Sequence, residues 1–321
     1  LHNGNKRLLS EQDLAAIIQH AFGQALASST ELTDGWANSA YLVRMRDGRE
    51  VVVKAAPPDS VVLMDYERGL METEVSVLRL VKQTGLVPVP EVYIYDVTQT
   101  FVDCDYFIME KLAGEPYNKV KNEYTDEQRA AIERKLGSYN RQINEIKGEQ
   151  FGLYAPSLEK FATWKAAFSR LMAGVLADGE RAGVQLPVSY PAIRAAVAAR
   201  VDALDEVHEP RLVHWDLWDG NVFVHAGEIT GIIDFERALW GDPLIENYFS
   251  HFYQSSAFRE GYGADAERSQ GEHERRALYD LYMDLIMYIE CAYREYEDKE
   301  HIEWAREIVE QGWSRFVGAD G

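Results

Sequence analysis

Cysteine is nearly absent from this chain of 321 residues, and basic residues are heavily outnumbered. The two cysteines, Cys104 and Cys291, sit in separate apolar segments without metal-ligand spacing. That excludes a disulfide framework and predicts two buried, reduced thiols in a cytoplasmic protein. Lysine and arginine number 33 against 53 aspartates and glutamates, a net charge of -20. Nucleic acid and anionic membranes call for a basic face, so neither is expected as a partner. No apolar run approaches the ~18 residues of a membrane span. The opening residues, Leu1-His2-Asn3-Gly4-Asn5-Lys6-Arg7, carry no apolar core of the signal-peptide kind. There is no Gly/Ser linker, internal repeat or low-complexity tract, so any lobe boundary is a tight hinge. Gly261-Tyr262-Gly263 lacks both a third glycine and a preceding strand, which excludes a dinucleotide fingerprint. A Gly-x-Ser-x-Gly elbow and paired His/Cys metal spacing are also missing.

What is present suits two lobes sharing a cleft, because the length exceeds one typical domain. Ser10-Glu11-Gln12-Asp13 opens a helix expected to reach about Ser28. Ala40–Arg46 and Glu50–Ala55 read as strands joined by Asp47-Gly48, a hairpin signal. Tyr66 to Thr84 reads as a helix stopped by Gly85, with Pro88 and Pro90 beyond it. Glu91–Val97 and Tyr106–Met109 complete a small α+β lobe over residues 1–111. Residues 112–321 read as mainly helical. Thr125-Asp126-Glu127-Gln128 is a capping box for a helix to about Lys147, and further helical patterns cover Glu159–Arg181 and Ala192–Glu206. Leu278, Leu281, Tyr282, Leu285 and Ile289 recur at helical spacing as a core stripe.

The chemistry is concentrated in His214-Trp215-Asp216-Leu217-Trp218-Asp219-Gly220-Asn221, followed by Asn221–Val224 and Glu228–Ile233 as short strands and then Asp234-Phe235. An acidic residue, an amide five positions later and a second acidic residue behind an apolar strand are the groups phosphoryl transfer requires. One carboxylate orients the attacking hydroxyl and accepts its proton, while an amide oxygen and the second carboxylate hold metal ions on the phosphates. The order is that of the protein-kinase catalytic loop, with Glu236 where such kinases have the glycine of Asp-Phe-Gly. A cation for the nucleotide phosphates is offered by Lys54, which ends Val51-Val52-Val53-Lys54. Its expected partner is Glu74 in the following helix, with Glu72 the second choice. Asp34-Gly35-Trp36-Ala37-Asn38-Ser39 is a small polar loop whose backbone could cradle phosphate.

Together these residues resemble the aminoglycoside phosphotransferase family and its wider superfamily of choline, homoserine, methylthioribose and fructosamine kinases. The resemblance runs through roughly residues 30–255. It is most specific in His214–Asn221 and in the run Ile232–Pro243, which ends in Gly241-Asp242-Pro243. It implies a bilobal, protein-kinase-like fold with a small N-terminal sheet lobe and a larger, mainly helical C-terminal lobe. It also implies ATP or GTP with Mg²⁺, and transfer to a hydroxyl of a small molecule. By position, Asp216 would be the catalytic base, and Asn221 and Asp234 the metal ligands. Lys54, backed by Glu74, would hold the phosphates, and Ser39 would sit in the covering loop. Met109-Glu110-Lys111-Leu112 resembles the adenine hinge, with backbone groups of Glu110 and Leu112 reading the base. Two departures stand out: Trp215 replaces the family's usual Gly, and Glu246-Asn247 stands where an Asp is usual.

The acceptor first suggested by the resemblance is a cationic antibiotic such as an aminoglycoside, which would make the protein a resistance enzyme. The other reading is a metabolic kinase of sugar, fructosamine, choline or homoserine type. Asp216-Leu217-Trp218 also resembles the Asp-Leu-Trp of fructosamine kinases, which widens the range of acceptors. A pseudokinase acting as an interaction module would be expected to have lost the lysine, the base or a metal ligand, and all are present. No obligate protein partner is implied. A polycationic acceptor demands carboxylates in the helical lobe. Acidic residues there outnumber basic ones 37 to 23. Asp280 and Asp284, four apart on one helix face, and Glu246 are the candidate acceptor-binding carboxylates, the alternative for the helix pair being a solvated face; Trp218 is either a stacking platform for a substrate ring or loop packing.

Overall fold

The structure is a computed structural model describing residues 7–33, 38–58, 60–264 and 268–318. Helix α1 (Glu11–Phe22) opens with a capping box in which Ser10 and Asp13 satisfy each other's backbone N–H. It stops at Gly23, whose φ of 63° is a left-handed conformation that glycine adopts without strain. The helix is therefore shorter than expected. The β-prone residues after it form strand β1 (Leu26–Leu32).

Strands β2 (Ser39–Met45) and β3 (Glu50–Ala55) form the expected hairpin. Helix α2 (Leu70–Thr84), β4 (Val92–Asp96) and β5 (Tyr106–Glu110) follow. The five strands make an antiparallel sheet in the order β1-β2-β3-β5-β4. Strand alternation divides the lobe into two faces. Val51, Val53, Tyr106 and Ile108 pack with Leu14, Ile17 and Ile18 of α1. Val52, Phe107 and Met109 pack with Val75, Leu78 and Val81 of α2. Lys54 has the parity of Val52 and so points toward α2.

Between β3 and α2 the chain makes an excursion that periodicity alone does not reveal. Tyr66 and Glu67, expected to begin the helix, instead belong to a separate 3-10 turn, Asp65–Glu67. Met64 and Tyr66 are buried in the core of the helical lobe rather than in the sheet lobe. Asp65 Oδ2 accepts from Arg170 at 2.7 Å, and the Asp65 amide donates to Asp178 Oδ2 at 2.7 Å. This strap ties the lysine-bearing strand and the glutamate-bearing helix to the other half of the molecule.

Beyond β5, strand β6 (Glu115–Pro116) already belongs to a different sheet, so residues 111–114 are the connection between the two. Helices α3 (Tyr117–Val120) and α4 (Asp126–Asn144), strand β7 (Gly152–Leu153), α5 (Trp164–Arg181) and α6 (Tyr190–Ala198) come next. The pattern over Ala192–Glu206 thus splits into α6 and a 3-10 turn, Val201–Glu206. Strands β8 (Arg211–Val213), β9 (Val222–His225), β10 (Glu228–Ile232) and β11 (Leu239–Gly241) build two three-stranded sheets, β10-β9-β6 and β7-β11-β8. Helices α7 (Ser256–Tyr262), α8 (Gln270–Tyr293) and α9 (Lys299–Gly318) finish the lobe. All five stripe residues of α8 are buried, against Trp164 and Phe168 of α5. Trp164 Nε1 donates to the Tyr279 hydroxyl at 2.6 Å, which donates to Asp242 Oδ2 at 2.8 Å, so the Gly-Asp-Pro turn is pinned to α8. No helix among the described residues is long and apolar enough to cross a membrane. The fold is α+β and kinase-like, a small sheet lobe beside a larger helical one.

Candidate active site

The hairpin of β9 and β10 sets the geometry. Asn221 precedes β9 and Ile233 follows β10, and the Ile233 amide donates to the Asn221 carbonyl at 3.0 Å. Asn221 and Asp234 are thereby placed side by side. Asn221 Nδ2 donates to the Asp216 carbonyl at 2.8 Å and to Asp216 Oδ2 at 3.3 Å. Its amide oxygen is the atom left to meet a ligand. His214 locks the loop to the strand end: its Nδ1 accepts the Asp216 amide at 3.2 Å and its Nε2 meets the Ile233 carbonyl at 2.8 Å. Those two bonds require the neutral imidazole carrying its proton on Nε2. Burial keeps it neutral by lowering its pKa.

Lys54 crosses from the sheet lobe. Its Nζ lies 2.6 Å from Glu74 Oε1 and 3.1 Å from Asp234 Oδ1. Burial alone would lower the ammonium's pKa, but Asp234 and Glu74 outweigh it and hold it above the ordinary value. Burial likewise pushes Asp234 upward, yet Lys54 more than compensates, so its carboxyl stays below the usual range and remains anionic. Asp216 is raised to about 6, chiefly by burial, with Arg237 opposing the rise. A carboxylate so tuned is largely ionised at neutral pH yet basic enough to take a proton.

Several residues here escape sequence reasoning. Glu236, at the position of the kinase glycine, accepts from Asn38 Nδ2 at 2.9 Å and ties the residue before β2 to the segment after Asp234. Its carboxyl is pushed up to about 8 by burial and by Asp234. Glu74, Asp234 and Glu236 each offer an oxygen within 4.8 Å of one another. Beside Asp216 lies an ion cluster. Arg237 is 3.6 Å from Glu290, and Arg294 is 3.1 Å from Glu290 and 3.2 Å from Glu67. The Arg237 guanidinium stands 5.2 Å over the Tyr66 ring. Arg237 was detectable only as an adjacent charge in the motif; Glu67, Glu290 and Arg294 carried no local signal.

Other expected residues are placed differently. Ser39 is 1% exposed, and its hydroxyl donates to the Arg7 carbonyl rather than facing a phosphate. Asp34, Gly35, Trp36 and Ala37 lie outside the described residues. Glu110 ends β5, with its amide donating to the Glu91 carbonyl at 2.8 Å. Leu112 lies in the connection between sheets, its side chain packed on Gly231.

Glu246, expected to touch the acceptor, is instead 0% exposed beneath the catalytic loop. Its carboxylate accepts the Trp215, Leu217 and Asn247 amides at 3.1, 3.2 and 2.9 Å. It cannot hold an acceptor ammonium without abandoning the loop. Asp280 and Asp284 are likewise occupied, with neither the expected acceptor role nor a solvated face. Asp280 pairs with Arg276 at 3.0 Å and His251 at 3.3 Å, and Asp284 with Arg315 at 3.1 Å. Trp215 is buried in packing rather than presented to a substrate. The Trp218 ring lies on Gly220, where a Cβ would stand 2.2 Å from it, so that glycine is required for space.

A bilobal fold with a lysine–glutamate pair, a loop aspartate, an asparagine and a strand-end aspartate on one cleft defines a kinase-like phosphotransferase, an enzyme that phosphorylates an alcohol group. The chain belongs to the phosphotransferase enzyme family, whose model matches residues 28–279. Among curated relatives, a probable ketoamine kinase of Vibrio vulnificus is 26% identical over 277 residues, covering 81% of this chain and 86% of that protein. Among solved structures, a protein assigned as a fructosamine-3-kinase from Haemophilus somnus superposes with a TM-score of 0.67. It is 19% identical and covers 93% of this chain and 96% of its own. The aminoglycoside phosphotransferase APH(4)-Ia, in complex with ADP and hygromycin B, gives a TM-score of 0.65 at 18% identity, covering 94% and 97%. At these identities the two structures establish the fold alone.

Proposed function

We propose that this protein is an ATP- or GTP-dependent, Mg²⁺-requiring kinase whose acceptor is a ketoamine, a sugar-derived amine of fructosamine type. The observation that carries the acceptor class is the match to the probable ketoamine kinases, which spans most of both chains. The side chains argue in the same direction. The carboxylates first expected to bind a polycationic aminoglycoside, Glu246, Asp280 and Asp284, are all engaged by the protein itself.

The donor set suits Mg²⁺. Asn221 and Asp234 offer an amide oxygen and a carboxylate held anionic, hard ligands of the kind this ion prefers. Glu74 Oε2 is buried without a hydrogen-bond partner among the described residues, beside Asp234 and Glu236. When bound, the ion would neutralise phosphate charge. Lys54 would bind the phosphates from the sheet side, held in place by Glu74. Asp216 would accept the proton of the acceptor hydroxyl as that oxygen bonds to the γ-phosphorus and the bond to the departing nucleoside diphosphate breaks. Arg237, beside Asp216, would keep the base ionised until then.

The test is mass spectrometry of candidate acceptors after incubation with Mg²⁺ and either ATP or GTP. Fructosamines, free sugars, choline, homoserine, aminoglycosides and macrolides form the panel. A gain of one phosphoryl group on fructosamines, with kcat/KM well above that for the rest, is the expected result. Preferential phosphorylation of an aminoglycoside would overturn the acceptor assignment.

A further inference from the structure

A cavity of about 400 Å³ opens between the strap that follows β3 and the C-terminal end of α8. Its apolar walls come from Pro57, Pro58, Val61, Val62, Leu63 and Tyr293. Its buried charges are Glu67 and Arg294, and the half-buried Glu72 and Asp105 add two carboxylates. Two contacts connect the cavity to the chemistry. Asn38, on its lining, holds Glu236 of the segment after Asp234 at 2.9 Å. Arg294 runs through Glu290 to Arg237, whose charge acts on Asp216.

The strap is poorly covered on its outer side. Val62 is 67% and Leu63 37% exposed. A second cavity of about 480 Å³ lies against Pro58, Val61 and Val62 from another direction. Apolar side chains bordering open space beside a catalytic cleft gain by any apolar group that removes them from water.

We infer that this cavity is the subsite for the amine substituent of the acceptor and that it selects a neutral, apolar arm. The inference rests on the ketoamine reading and deepens it. The sugar hydroxyls lie toward Asp216, and the amine of the ketoamine enters the cavity. The substituent beyond the amine runs along Val61, Val62 and Leu63. An anionic arm meets Glu72 and Asp105 as like charges, and a polycationic arm gains those carboxylates but leaves the apolar wall unfilled.

Fructosamines made from hexylamine, glycine and spermidine, given to the full chain with ATP and Mg²⁺, distinguish these cases. The hexylamine derivative is expected to show kcat/KM roughly tenfold or more above the glycine derivative, the range a few methylenes in an apolar pocket can supply. Val62→Asp, at an exposed position where folding is not at stake, is expected to bring that ratio toward one, mainly through KM. Leu63→Ser should do so to a smaller degree. Equal kcat/KM across the three arms, a preference for the spermidine arm, or a ratio unaffected by Val62→Asp would each overturn the subsite while leaving the ketoamine reading standing. If none of the three is phosphorylated and another acceptor class is, the ketoamine reading falls and the subsite with it.

Discussion

Trp215 and Tyr282 stack with ring centroids 5.7 Å apart and planes within 6° of parallel, while Tyr66 meets the same indole edge-on at 5.6 Å. This sandwich accounts for a tryptophan where the family usually has glycine. The Trp215 backbone has φ of 66°, a left-handed conformation that costs a non-glycine residue about 1–2 kcal/mol. Burying the indole between two aromatic rings offsets that cost, and it joins the strap and α8 to the residue before the base.

Replacing Trp215 with glycine therefore sets two effects against each other. Glycine relieves the backbone strain, but the buried indole is worth about 3–5 kcal/mol when truncated. Packing wins, and Trp215→Gly is expected to lower the unfolding free energy by about 2–3 kcal/mol in urea titration. An unchanged or raised midpoint would show that the backbone preference dominates.

Asp216→Asn should reduce kcat by about 10²–10⁴-fold with little change in nucleotide affinity, since a base acts on the chemical step. Wild-type kcat/KM should fall about tenfold per pH unit below roughly pH 6, because the carboxyl raised to about 6 must be ionised to accept the proton. A flat profile between pH 5 and 7 contradicts the assignment.

Glu246 accepts three amides, two of them within the catalytic loop. Glu246→Gln turns one acceptor oxygen into a donor facing an N–H, which should cost about 1–3 kcal/mol. The loop should lose its alignment, lowering kcat while acceptor KM changes little. A selective rise in KM would instead return Glu246 to the acceptor site.

Asp284 is fully buried, and burial pushes its carboxyl up to about 7, with His251 and Arg315 opposing. The folded state therefore binds the proton more tightly than the unfolded chain does, and this residue's contribution to stability is lost as pH rises toward 7. Asp284→Asn, which cannot ionise, should gain in Tm relative to wild type between pH 5 and pH 8. A constant difference in Tm across that range would count against the shift.

The parts of the candidate site that were readable are those separated by short, regular stretches of chain. Asp216 and Asn221 share one loop, and the β9–β10 hairpin returns Asp234 to them, so local spacing largely dictates their meeting. Lys54 follows from strand parity, which turns it to the α2 side with Val52, and Glu74 follows from that helix's inward face. The core stripe of α8 was readable for the same reason, since a 3.6-residue period specifies a face.

Glu246, Asp280 and Asp284 show where that reasoning stops. As charges on a sequence they invite a cationic ligand; Asp280 has its own cation four residues back in Arg276, but for Glu246 and Asp284 the decisive partners lie far along the chain. Arg315 reaches Asp284 from 31 residues away, and two of the three amides that occupy Glu246, those of Trp215 and Leu217, lie about as far off in the other direction. Sequence alone determined the fold class, the caps at Ser10, Thr125 and Gly85, and the order of the candidate phosphoryl-transfer residues, because these rest on periodicity and short-range geometry. Only the tertiary structure decided which carboxylates are already satisfied, that the strap after β3 belongs to the opposite lobe, and that Glu236 and the Arg237–Glu290–Arg294 cluster stand at the cleft. Those outcomes depend on long-range packing, which sets the partners and the burial of a charge and leaves no local trace in the chain.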